Sequence, residues 1–261
     1  MGTGVPENSW TQSPAQEDDG ANDDDLYEEN FDDLYGDQTE INDPLERLNR
    51  AFHGLNRLLD GLFLKPWAHF YDIAVADPLK TGCRNAIKNI YAPLSIINYI
   101  LQGRPDSAGK TLGRFLANTT VGLGGFLNPA ERMGIDTPNT GFGDTLGVWG
   151  ASPGFYIELP VFGPSSLRDS LGLVVDYFTD PFRLFTLHKR KNLRHKRRLI
   201  YFTTKAIEIS DKRFQLLDVL DNLEKNSLDF YTALKSSYTQ NREAHIKKLR
   251  RRIPEERRSL S

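Results

Sequence analysis

Ten glycines and five prolines crowd residues 121–165, among them Gly122, Gly124, Gly125, Gly143, Gly147 and Gly163. Glycine loses the most backbone entropy in a helix, and proline lacks the N–H that a helix interior needs. Any helix in this stretch must therefore be short, and backbones there can approach one another or a ligand closely.

Helical periodicity lies on both sides of it. Asn42-Asp43-Pro44 offers an N-cap candidate followed by proline at the first helical position. Leu45, Leu48, Phe52, Leu55, Leu59 and Leu62 then recur at steps of three and four, which sets them on one helix face, and Gly61 with Lys65-Pro66 predicts its end. A short helix is expected over 67–80, broken near Asp77-Pro78. A third is expected over 81–102, kinked at Pro93, with Ile87, Ile90, Leu94, Ile97 and Leu101 on its apolar side, and a fourth over 105–120. Phe155 to Phe162 could be an extended loop, a re-entrant segment or an edge strand. An apolar helix over 165–178 follows. Two long amphipathic helices over 194–223 and 227–252, the second capped by Ser227, complete an all-α chain with little or no β.

Charge divides the chain into regions. Residues 1–46 hold 15 acidic groups and no Lys or Arg, whereas 189–261 hold 20 basic and 9 acidic groups. Residues 1–42 also carry too little apolar surface to offset the entropy of ordering, so they read as a disordered acidic tether. A single helical domain is expected over 43–252 and a disordered basic tail over 253–261.

Most catalytic chemistry has no foothold. The five histidines are scattered without metal-ligand spacing, Cys83 stands alone, and neither a G-x-S-x-G elbow nor a Walker A loop occurs. Gly122-Leu123-Gly124-Gly125 lacks the strand–turn–helix frame and later acidic partner of a dinucleotide fingerprint. The reading is of a chain that is not an enzyme, with no metal and no cofactor. Lys189, Arg190, Lys191, Arg194, Lys196, Arg197 and Arg198 form a basic stretch that reads either as a solvated helix start or as a contact for anionic headgroups or an acidic partner. The acidic tether and the lack of a reader fold argue against nucleic acid.

No run of about 18 apolar residues is present, so no single helix spans a bilayer. Short amphipathic helices can instead lie in one leaflet, or close around a polar-lined cavity with their backbone groups satisfied internally. An ordinary globular core fits the same composition.

Several ordered motifs carry a resemblance. They are Asn42-Asp43-Pro44-Leu45-Glu46-Arg47-Leu48-Asn49-Arg50, Asn98-Tyr99-Ile100-Leu101-Gln102-Gly103, and Arg114 through Phe126. Phe142-Gly143-Asp144-Thr145-Leu146-Gly147 follows, then Gly154 through Pro160, Gly163-Pro164-Ser165, Leu167-Arg168-Asp169 and Gln215-Leu216-Leu217-Asp218. From Asn42 to about Tyr238 the chain resembles the VacJ/MlaA lipoprotein family.

The resemblance implies a ring of short amphipathic helices in the inner leaflet of a bacterial outer membrane, around a central amphipathic channel. It implies removal of phospholipid misplaced in the outer leaflet, with an outer-membrane porin and a soluble periplasmic lipid carrier as partners. The alternative is an envelope adaptor that binds porin without moving lipid. Family members have a signal peptide and a lipidated N-terminal cysteine, and Cys83 matches no lipobox; on this reading the chain begins after the removed region. Under the channel reading Phe142, Leu146, Phe155, Leu159 and Phe162 are candidates for the lipid path or gate, or else ordinary core. The six glycines named at the outset would then be hinges or points of close approach.

Overall fold

The computed structural model describes residues 41–180, 182–184 and 194–258, excluding the side chains of 194–197 and 254–258. Helix α1 (Glu46–Leu59) runs through a π turn (Asp60–Leu64) into α2 (Lys65–Ala74). Pro66 thus does not end the first helix: the Lys65 N–H reaches back to the Asp60 carbonyl, and the wider turn admits proline at the start of α2. Helices α3 (Asp77–Ile90) and α4 (Ala92–Leu101) meet at Tyr91. They take the place of one helix kinked at Pro93, because proline is accommodated in the first turn of a new helix.

Helix α5 (Pro105–Thr120) packs on α4 and is followed by a single turn, α6 (Pro129–Arg132). Beyond it α7 (Phe142–Val148) packs on α8 (Leu167–Thr179). Between these two lies an antiparallel hairpin, β1 (Tyr156–Leu159) and β2 (Gly163–Ser166), in the register Tyr156↔Ser166 to Leu159↔Gly163. The 155–162 segment is thus the first strand and turn of a hairpin. Gly172 of α8 lets two helix backbones touch: a Cβ there would lie 2.5 Å from the Gly143 Cα.

Two long helices complete the chain, α9 (Arg194–Asn226) and α10 (Phe230–Arg258). Helix α10 extends past residue 252, where periodicity predicted its end. Its cap is Asp229, whose Oδ1 accepts the Tyr231 N–H at 3.1 Å, rather than Ser227. Helix α9 is strapped to the first helices by charge: Arg213 to Asp60 at 2.5 and 2.7 Å, Lys65 to Asp221 at 2.9 Å, and Arg84 to Asp211 at 2.9 and 2.7 Å.

Burial runs against the usual order. The largest fully buried side chains are Arg114, Tyr99, Glu158, Asn49, Asn98, Thr111, Thr145 and Ser95, and each carries a polar group. Meanwhile Leu48, Leu55, Leu62, Phe63, Phe70, Leu116, Val174 and Phe178 are exposed. The apolar face expected on α1 exists, but it points outward while Asn49 points in. Among the described residues no helix is long and apolar enough to cross a membrane.

Candidate functional site

The polar interior is built from stripes at helical spacing. Ser95 and Asn98 on α4, with Gln102 at its C-cap, are buried against α7 and the loop before it. Thr145 donates to Asn98 Oδ1 at 2.7 Å, Gln102 Nε2 donates to Thr140 at 2.9 Å and Thr145 at 3.1 Å, and Ser95 Oγ accepts the Thr140 N–H at 3.2 Å. Thr140 in turn donates to Asp144 at 2.8 Å.

From α10, Arg242 ties this cluster to α8. Its Nη1 reaches Asp144 at 2.6 Å, and its Nε and Nη2 reach the two oxygens of Asp169 at 2.9 and 2.8 Å. Tyr238 donates to Asp169 at 2.8 Å. Burial alone would raise the Asp144 carboxyl, but His245, Arg242 and Thr140 outweigh it and hold the group at about 2. Asp169 is held low in the same way by Arg242 and Arg168. Asp176 goes the other way. Burial, with Asp144 and Asp180 nearby, pushes it to about 6, although its oxygens accept the Phe142 N–H at 3.0 and 3.1 Å.

A second cluster joins α1 to the hairpin. Asn49 donates to the Tyr156 carbonyl at 3.1 Å and to Asp43 at 2.7 Å, and accepts the Glu158 N–H at 3.0 Å. Buried Glu158 accepts from Tyr156 and from Asn56. Asp43 is therefore not the N-cap that its position suggested: Leu45 holds that place with no side-chain cap, while Asp43 also takes Tyr231 and Lys235 at 2.5 and 3.1 Å. A long-range anchor between three elements outweighs a local cap.

Helix α5 supplies the third cluster. Thr111 pairs with Thr137 at 3.0 Å, and Arg114 donates to Asn139 at 2.8 Å. Asn118 accepts the Ala130 N–H at 3.1 Å and so closes the glycine turn. Asn89 Oδ1, Gln102 Oε1 and Arg114 Nε are buried without a protein partner. A polar cavity of about 230 Å³ opens beside this helix, lined by Tyr99, Arg104, Lys110, Asp136, Thr137 and Arg252 among others.

The path candidates fall in two elements. Phe142 and Leu146 are half-buried on α7, with the Phe142 ring edge-on to Trp149 at 6.0 Å. Phe155, just before β1, and Leu159, its last residue, are half-buried, whereas Phe162 is 78 % exposed at the hairpin tip and stands apart from the others. A Cβ on Gly122 would meet the Leu127 carbonyl at 2.6 Å, on Gly143 the Asp169 carboxylate at 3.0 Å, and on Gly147 the Ile246 side chain at 2.7 Å. Gly125 lies against Asn89, while Gly124 and Gly163 face open space in the left-handed region. In the basic stretch, Lys189, Arg190 and Lys191 lie outside the described residues, as do the side chains of Arg194, Lys196 and Arg197; Arg198 is exposed. No group of His, Cys, Asp and Glu among the described residues could hold a metal ion.

Sequence reasoning gave no individual role to Arg242, Asp169, Asn49, Asn56 or Arg114, although Asn49, Arg114 and Asp169 lie within the quoted motifs. Their signal was a polar stripe at helical spacing, as in Asn49/Asn56 and in Thr111/Arg114/Asn118, but a solvated helix face gives the same pattern.

Comparison with known proteins agrees with the helical fold. The model of the MlaA lipoprotein family matches residues 41–245. An uncharacterised protein of Rickettsia bellii is 34 % identical over 231 residues, covering 86 % of this chain and 84 % of its own length. The intermembrane phospholipid transport system lipoprotein MlaA of Escherichia coli is 33 % identical over 208 residues, 78 % of each chain. A solved structure described as the structural basis for maintenance of bacterial outer membrane lipid asymmetry superposes with a TM-score of 0.65 at 32 % identity, covering 78 % of this chain and 98 % of that one.

Proposed function

The chain belongs to the MlaA lipoprotein family, and from that premise we propose that it sits in the inner leaflet of a bacterial outer membrane and carries phospholipid out of the outer leaflet. The observation that carries this reading is the inverted burial: polar side chains inside, large apolar ones outside. In water such a distribution is unfavourable, since each of these half-exposed Leu and Phe side chains forgoes part of the roughly 1.5–3 kcal/mol that full burial gives. In a monolayer the same outer surface meets acyl chains, and backbone groups remain satisfied within their helices.

Movement of a lipid then needs no covalent chemistry. The headgroup follows the hydrogen-bonding interior while the tails keep to the apolar side. Phe142, Leu146, Phe155 and Leu159 border that path on α7 and the hairpin, and Phe162 meets the tails before they enter. The glycines at 122, 124, 125, 143, 147 and 163 allow the close approaches and turns that keep the wall thin. A porin that gives access to the outer leaflet and a soluble periplasmic carrier that receives the lipid complete the route. The basic stretch from Lys189 to Arg198 serves headgroups or the partner.

Transfer of labelled phospholipid from proteoliposomes holding a porin and this chain to a purified periplasmic lipid carrier tests the reading. Transfer that requires the chain is the expected result. Porin binding without transfer would contradict it and leave an adaptor.

A further inference from the structure

The tip of the β-hairpin breaks the habits of a solvent-exposed turn. Val161 sits at φ 71°, in the left-handed region that a β-branched residue avoids, and it and Phe162 are 60 % and 78 % exposed. Glycine or asparagine is the usual occupant of such a position. From Leu159 to Leu167 no residue carries a charge, and two of the nine are prolines without an N–H.

Backbone groups at a hairpin tip normally face water, but here the Asn56 side chain of α1 takes two of them. Its Nδ2 donates to the Leu159 carbonyl at 2.9 Å, and its Oδ1 accepts the Val161 N–H at 2.7 Å. That is the condition hydrocarbon imposes: irregular backbone is tolerated there only when its polar groups are met from within the protein. Leu55 and Leu58 on the same helix and Leu62 in the π turn that follows it are exposed and carry the uncharged surface onward.

We propose that Val161 and Phe162 insert into the acyl-chain layer as a dry wedge, and that Asn56 is the positioning residue that makes the tip fit for hydrocarbon. The proposal rests on the leaflet setting given above and adds a specific point of entry. The left-handed turn at Val161 presents two adjacent apolar side chains outward, where glycine at 161 would present only one.

Single-cysteine variants of the full chain test it, each with Cys83→Ser and an environment-sensitive fluorophore at Phe162→Cys, Phe70→Cys or Lys248→Cys. They are mixed with phosphatidylethanolamine–phosphatidylglycerol vesicles containing mid-chain brominated lipid. Blue-shifted, quenched emission at 162 and 70, with neither change at 248, is expected. Quenching at 70 but not at 162 would overturn the wedge and leave the leaflet setting standing. Quenching at neither would remove both. Asn56→Ala should then lessen quenching at 162 without changing it at 70, and Asn56→Gln should restore part of it. Equal quenching at 162 in Asn56→Ala and the parent would deny Asn56 its positioning role, and a parallel change at 70 would assign it a general structural one.

Discussion

Arg242 of α10 grips Asp169 of α8 with two parallel hydrogen bonds of 2.9 and 2.8 Å, and spends its remaining amino group on Asp144 of α7. One guanidinium thus joins three elements around the polar interior. Fork-to-fork geometry is why an arginine, and not a lysine, suits the place.

Arg242→Met should therefore destabilise the chain by about 3 kcal/mol, because it leaves two mostly buried carboxylates without their shared cation. Urea unfolding at neutral pH measures this. Arg242→Lys should recover only part of the loss.

Acid should erode the same contact. Asp144 and Asp169 are held below their unfolded values, so their stabilisation is complete above about pH 4, where the unfolded carboxylates are ionised. It falls away as pH drops toward the folded value of about 2 for Asp144. The stability gap between the parent and Arg242→Met should narrow over that window.

Asp176 gives the opposite sign. Its folded value of about 6 lies above the unfolded one, so its ionisation opposes folding at neutral pH and the penalty fades as pH falls from 6 toward 4. Asp176→Asn keeps an oxygen for the Phe142 N–H and removes the charge. It should stabilise the chain by about 1 kcal/mol at pH 7.5, allowing for the carboxylate's partial exposure, and by little at pH 4.5. Paired melting curves at the two pH values check this.

Gly172→Ala should cost about 1–3 kcal/mol, since its methyl would press on the Gly143 backbone rather than on a side chain that can turn away. Gly124→Ala, in open space but at φ 72°, should cost less and through backbone strain alone. Chemical denaturation separates the two.

Substitutions on the outer surface should dissociate stability from membrane binding. Leu62→Glu and Phe63→Glu remove exposed apolar side chains, so unfolding free energy in water should shift by no more than about 0.5 kcal/mol. Flotation with vesicles should fall markedly for both. Unchanged flotation would exclude the π turn from the proposed membrane contact.

Much of the fold was legible because helix periodicity and proline punctuation are local. The span of α5, the glycine-bound shortness of α7 and the two long C-terminal helices follow from neighbours in sequence. What was illegible depends on distant partners. Asp43 looks like a cap until Lys235 and Tyr231 arrive from α10, and Pro66 looks like a terminator until the π turn widens ahead of it. The face of α1 was visible, but its direction was not, because hydrophobic spacing does not say whether that face turns toward the protein interior or away from it. Only the burial of Asn49 and Asn98 opposite exposed leucines decides it.

The most direct test of the account is the amount of phospholipid on the cell surface, read by an impermeant amine-reactive label on phosphatidylethanolamine. Bacteria lacking this gene should show more labelled lipid than the parent, and the gene restored in trans should return it to the parental level. An unchanged surface signal in the deletion strain, with its membranes intact, would contradict outward-leaflet clearance by this chain.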